Sequence, residues 1–339
     1  MKLLLFAMLL GMPLAVSAQD VEINETNFPD ENFRSYLLEQ NYGADGVLTE
    51  EERMSVRRID VSTLGAIGKE ISSLKGIEYF TALTELNCGY NRLTTLDVSK
   101  NTALTGLYCG SNQLTTLDMS NNTALIHLHC FDNQLTALDV SENTALSILG
   151  CANNPLTALN VSGCTALTFL SCDHTQLTTL DVSNNISLIN LHCNDNPLTS
   201  LNVSNDMALT ELWCYHNQIQ GAAMDYLIDC LPQTKNGEMR MLYDNSSIDE
   251  GNVCTKAQVA AAKAKGWIVY YYAYTDVGAW LEYEGSEDNS DTSTIIAQPT
   301  KRTEETDTPA YTLSGQKVTG SLKNKKGIYV VGGKKIVVK

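Results

Sequence analysis

From Leu83 to Ile219 the apolar and polar positions repeat every 21 residues. The copies open at Leu83, Leu104, Leu125, Leu146, Leu167, Leu188 and Leu209. Their shared text is L-x-x-L-x-C-x-x-N-x-L-T-x-L-D/N-V/M-S-x-N-x-A, in six full copies and the first half of a seventh. In the first half of each copy, Leu at the fourth position and Cys at the sixth alternate with variable residues. That period of two predicts a short strand with Leu and Cys turned inward and positions three, five and seven turned outward. Asn at the ninth position turns the chain out of the strand. Stacked copies (Asn91, Asn112, Asn133, Asn154, Asn196, Asn217) can bond backbone groups that a tight buried turn would leave unpaired. Thr175 is the weaker substitute in that ladder. A second ladder, Asn101, Asn122, Asn143 and Asn185, is interrupted by Cys164 and Asp206.

The same alternation places Cys88, Cys109, Cys130, Cys151, Cys172, Cys193 and Cys214 in one internal column. A free thiol packs there as a small hydrophobe. Side-by-side Cβ vectors at the strand spacing do not suit a disulfide, and a linear column cannot offer zinc a tetrahedron. A packing role is therefore expected. The core of the repeat is similar to the leucine-rich repeat, with Cys in place of the third Leu. With its cysteine column, the stretch resembles the cysteine-ladder internalins and similar repeat proteins of bacterial surfaces, extending loosely over Ile71–Phe80. The resemblance implies an α/β fold: a right-handed leucine-rich-repeat solenoid with a parallel sheet on its concave face. It also implies adhesion or host contact through that face, and brings no catalytic residues.

Solenoid ends need caps. Phe28-Pro29-Asp30 opens a helical stretch, ENFRSYLLEQ, and Asn41 to Glu52 (NYGADGVLTEEE) is similar to an EF-hand loop. Asp45, Thr49 and Glu52 take positions five, nine and twelve, with Gly46 at the turn, while Asn41 and Gly43 depart from the pattern. Two carboxylates make a weak calcium site, so a ligand-free cap without cofactor is the favoured expectation. At the other end, helices over Gly221–Leu231 and after Thr255 and strands over Glu238–Tyr243 and Trp267–Ala273 predict an αβ C-cap. Cys230 and Cys254 fall in this region, and their spacing leaves a pairing open.

The remaining segments bear on location. Met1-Lys2, the apolar run Leu3–Leu14 and Val16-Ser17-Ala18 read as a secretory signal peptide. No later run approaches the ~18 apolar residues of a membrane span. The expected divisions are signal peptide 1–18, N-cap and irregular first coil 19–82, repeats 83–219, C-cap 220–275, acidic linker 276–308 and β tail 309–339. The tail holds seven lysines and no acid. It carries a Gly332-Gly333 hairpin signal and resembles the C-terminal sorting domains of Bacteroidetes exported proteins, in a shortened form. That resemblance implies type IX secretion and a secreted or outer-surface location. The net charge of −16 argues against nucleic acid, which needs a basic stripe.

The copies also separate frame from surface. The convex half barely changes (LTTLDVS, LTALNVS), whereas the outward columns change freely. Tyr108, His127, His129, Phe131, Phe169, His192, Trp213 and Tyr215 are the partner-binding candidates, because clustered outward aromatics mark contact surfaces. Drift on a tolerant surface is the plain alternative. In the eighth column His174, Asp195 and His216 stand on successive coils, as candidate metal ligands or as a hydrogen-bonded solvated edge. Ser171-Cys172-Asp173-His174 is no triad, since adjacent strand residues face opposite ways, and no G-x-S-x-G, H-E-x-x-H or phosphate loop occurs. The expected function is non-enzymatic: protein binding by the concave face first, glycan binding second, an inert envelope spacer third.

Overall fold

The computed structural model describes residues 19–62, 70–243, 250–273 and 278–287, and four strands between 310 and 338. The expected leader at 1–18, most of the expected linker and the Gly332-Gly333 turn lie outside the described residues. The chain divides into two units at residues 292 and 293.

In the first unit, each 21-residue copy contributes one three-residue strand to the main sheet, and on the other side of two coils Ala137–Asp139 and Ala158–Asn160 pair as a separate two-stranded parallel sheet. The copies pair in parallel and in register, so that Leu86, Leu107, Leu128, Leu149, Leu170, Leu191 and Leu212 form one row. These leucines and the seven ladder cysteines are fully buried. The predicted inward set is therefore the observed core. One coil alone buries Leu125, Leu128, Cys130, Leu135, Leu138 and Val140, at ~1.5–3 kcal/mol for each large aliphatic side chain. All ten cysteines are free, Cys230 and Cys254 included. Burial pushes the Cys88 and Cys130 thiols up to about 12.

The sheet is longer than the repeats. It has eleven strands, beginning at Arg58–Asp60 and ending at Ala279–Glu282. Arg58–Asp60 pairs with Glu85–Asn87 across 27 residues rather than 21. The longer first coil accommodates Ile71, Leu74 and a 3-10 turn at Ile77–Tyr79, which bury their apolar side chains. At the far end, Gly237–Tyr243 and Trp267–Ala273 continue the parallel sheet, the first preceded by helix Ala222–Cys230 and the second by helix Lys256–Ala264. Ala279–Glu282 then returns antiparallel on Trp267–Ala273. The expected boundary at 275 thus falls inside the sheet. Polar residues such as Glu282, Glu284 and Glu287 read as linker, yet they edge an ordered strand and pair with Lys263 and Lys256.

The N-cap is a helix, Glu31–Leu38, then a two-residue strand, Val47–Leu48, and a helix, Glu50–Ser55. Asp30 Oδ1 accepts from Phe33 N–H, while its Oδ2 accepts from Ser72 N–H and Oγ, tying the cap to the first coil. In the EF-hand-like loop the candidate ligand side chains bond to the loop itself. Glu52 accepts from Thr49 N–H and Oγ1 in a capping box, and Asp45 accepts from Val47 N–H. With these carboxylates turned onto the backbone, the residues do not fit a calcium cage. Among the described residues no helix is long and apolar enough to cross a membrane. The second unit contains a four-stranded antiparallel sheet, in which Lys317–Val318, Ala310–Thr312, Gly327–Val331 and Lys334–Val338 lie side by side in that order.

Candidate functional site

Positions three, five and seven of the coils lie on the concave face, as the alternation predicts, and most are half-buried by their neighbours. The face has two unlike ends.

At the N-terminal end, Gly89 and Gly110 leave the seventh column without side chains in the first two coils. The result is a cavity of about 240 Å³ lined by Asn87, Gly89, Tyr90, Tyr108, Gly110, His129 and Phe131. Tyr108 and His129 stack, with centroids 5.3 Å apart and planes at 14°. A Cβ on Gly110 would stand 2.7 Å from the Phe131 ring, so only glycine leaves that ring its place. No Asp, Glu, Lys or Arg lines the cavity. Burial, with a smaller contribution from His127, lowers the pKa of His129 and favours its neutral form.

At the C-terminal end the aromatics are packed against one another. His192 stacks on Trp213 at 3.9 Å, and Phe169 meets His192 edge-on at 5.2 Å. Arg240 Cζ lies 4.1 Å from the Trp213 ring and 4.9 Å from that of Trp280, a guanidinium held between two indoles. Glu238 accepts from Arg240 Nε at 2.7 Å. Glu211 lies 3.1 Å from His192 Nε2 and also accepts from Asn190 Nδ2. Burial outweighs Glu211 and lowers the pKa of His192. Tyr215 packs on Tyr243 and Trp280, each at 5.3 Å, and Tyr243 stacks on Tyr272 at 4.5 Å. Burial raises the Tyr215 phenol. The Trp213 indole N–H is buried and has no partner among the described residues.

The structure thus brings Tyr108, His129 and Phe131 around an open cavity, and Phe169, His192, Trp213 and Tyr215 into a filled stack. His127 lies two strand positions from His129, on the same face but outside the cavity lining. Sequence reasoning missed Arg240, Tyr243, Tyr272 and Trp280. Arg240 pairs in register with Trp213, so the alternation of Glu238-Met-Arg240-Met was the available signal. It had no 21-residue repeat to announce it. Gly89 and Gly110 were passed over because they carry no side chain.

The eighth column is also brought together: Asp195 lies 2.6 Å from His216 Nδ1 and 3.5 Å from His174 Nε2. Burial opposes the charged form of His216, but the hydrogen bond to Asp195, with Glu250 nearby, raises its pKa overall. Among the described residues, however, no group of three His, Cys, Asp or Glu side chains is arranged to hold a metal ion. The backbone supplies another reason for these residue types. Tyr90, Ser111, Asp132, Asn153, His174, Asp195 and His216 all have φ between 50° and 57°. Asn, Asp and His enter that left-handed region more readily than other side chains do.

No protein-family model matches the chain. A stretch of 75 residues, 22% of this chain and 8% of the relative, is 41% identical to Internalin J of Listeria monocytogenes. The functional domain of InlJ from Listeria monocytogenes, which includes a cysteine ladder, is similar with a TM-score of 0.54 at 31% identity, over 73% of this chain and 56% of that one. Internalin C2 from the same species gives 0.52 at 20% identity, over 62% and 94%. The chain therefore spans little more than half of the InlJ domain and a small part of Internalin J. The fold is an internalin-like leucine-rich-repeat solenoid with a cysteine ladder.

Proposed function

We propose that this protein is an exported, non-catalytic binding protein whose concave β-face takes another protein. One observation carries the reading: the outward columns hold a band of aromatic and histidine side chains from Tyr108 to Trp280, while the convex half repeats almost unchanged. Interface cores are enriched in such residues, and a few of them carry most of the binding energy. Within the band the open cavity beside Tyr108 and Phe131 is where a partner's uncharged side chain would seat, since no ionised group lines it. The leader at 1–18 and the lysine-rich tail at 309–339 support export, by a type IX route if the tail is a sorting domain.

The test is a binding screen of the mature chain against extracellular proteins and a glycan panel. A Tyr108→Ala/Phe131→Ala variant and a Trp213→Ala/Tyr215→Ala variant run alongside. A protein ligand weakened at least tenfold by the first variant, with its fold intact, is the expected outcome. A glycan bound instead would replace the partner class. No ligand at all would leave an envelope spacer as the better account.

A further inference from the structure

The second ladder contains a residue that its own geometry does not satisfy. In this ladder each Asn donates from Nδ2 to two carbonyls of the preceding coil, 24 and 21 residues back. Asn122 bonds Val98 O and Asn101 O at 3.1 and 2.9 Å. Asn143 bonds Met119 O and Asn122 O at 3.0 and 2.8 Å, and Asn185 bonds Val161 O and Cys164 O at 3.0 and 2.9 Å. Even Cys164, which interrupts the series, donates from Sγ to Val140 O at 3.1 Å. Every rung up to that point is closed by a donor.

At the next rung stands Asp206. The residue is fully buried, and neither carboxyl oxygen has a hydrogen-bond partner. The carbonyls at the equivalent offsets are Val182 O and Asn185 O. An ionised carboxylate has no hydrogen to give them and would set acceptor against acceptor out of water, which disfavours the charged form. The protonated acid has one O–H donor. We propose that Asp206 is held as the neutral acid, that its proton closes the rung to the carbonyls of the preceding coil, and that this makes the solenoid a proton-dependent structure at this coil.

The electrostatics agree with the geometry. Burial alone raises the Asp206 pKa, to about 7, and no charged side chain of the preceding coil or of the cap contributes. The sign follows from linkage. A carboxyl whose folded pKa lies above its unfolded value contributes stability that is complete below the ordinary carboxylate range. That contribution is lost as pH rises through about 7. Position 206 matters to the concave face because its carbonyl accepts from Leu209 N–H at 3.0 Å. That bond sets the turn from which the Glu211–Trp213 strand departs. Loss of the proton therefore loosens the coil that carries Trp213.

The test compares the wild type with Asp206→Asn, which restores the amide of the other rungs, and with Asp206→Cys, which copies Cys164. Unfolding by urea is followed from pH 5 to pH 8. The unfolding constant of the wild type, divided by that of either variant, should rise about tenfold per pH unit up to about 7 and then level off. Because the comparison is a ratio, the buried Glu250 carboxyl, also raised to about 7, contributes equally to both sides. In the wild type the carboxyl carbon of Asp206, read by NMR, should report the neutral acid at pH 5.5. Parallel pH slopes for wild type and variants would overturn the proposal, and so would a carboxyl that titrates in the ordinary range. The carboxyl reading decides the matter even if both variants fail to fold.

Discussion

Asn154 shows what one residue does in each coil. Its Nδ2 lies within hydrogen-bond reach of Cys130 O, Cys151 O and Ala152 O, and its Oδ1 accepts from Leu135 N–H, all between 3.0 and 3.2 Å. Buried backbone groups cost about 1–3 kcal/mol each when left unpaired, so one amide holds the turn closed. Thr175 is the exception: its single hydroxyl proton must serve either Cys172 O or Asn196 Oδ1. Thr175→Asn should stabilise the protein by about 1 kcal/mol, seen as a higher urea midpoint; a lower midpoint would show that the rung has repacked around threonine. The ladder was legible from sequence because the amide recurs every 21 residues. The left-handed backbone one position earlier was not, because Tyr90 and Ser111 obscure the preference that Asp132, Asn153, His174 and Asp195 show. Ser111 has φ 55°, a strain that glycine avoids. Ser111→Gly should therefore hold or raise the thermal midpoint, by up to about 1 kcal/mol of stability, and a clear fall would contradict the strain argument.

At the scale of the element, the cysteine column follows from the strand itself. Parallel strands in register place each sulfur beside the next, and full burial raises every ladder thiol above its ordinary range. Alkylation needs an exposed thiolate, and only Cys230 is not fully enclosed. Iodoacetamide at pH 8 should modify Cys230 alone in the folded protein and all ten cysteines in urea, counted by intact mass. Labelling of Cys130 or Cys172 before unfolding would mean that the coils open locally. The elements hardest to see in the sequence were the two edge strands. Arg58–Asp60 lies 27 residues from its partner, off the period. Ala279–Glu282 is enclosed by acidic residues whose role, pairing with Lys256 and Lys263, depends on a helix distant in sequence. Periodicity reveals an element only where the element repeats. For the same reason the open cavity and the Arg240 sandwich did not stand out, one made by missing side chains and the other by a cap strand whose alternation occurs once, outside the 21-residue repeat.

For the whole molecule, the open question is whether the two ends of the concave face act together. The His127–His129 strand and the Glu211–Trp213 strand are separated by four sheet steps, about 19 Å at the usual strand spacing. A standard protein interface covers about 800 Å² on each partner, a patch roughly 28 Å across, so one partner can cover both ends. The coil Leu146–Ala166 offers a way to ask. Its concave positions are Ile148, Gly150 and Ala152, with no aromatic residue, and its convex side carries Cys164 in place of a ladder asparagine. Solenoid coils contact mainly their neighbours, so an in-frame removal should fold with one strand fewer in the main sheet and without the short Ala137–Asp139/Ala158–Asn160 pair, and it sets Asn185 directly beside Asn143. Every candidate side chain survives, but the two ends approach by about 5 Å. Circular dichroism should show an intact fold of somewhat lower stability, because one coil of buried leucines is gone. A partner that bridges the face should bind at least tenfold more weakly, since a displacement of that size breaks complementarity at one end or the other. Unchanged affinity would confine recognition to a single end, and the Tyr108→Ala/Phe131→Ala variant would then identify which one.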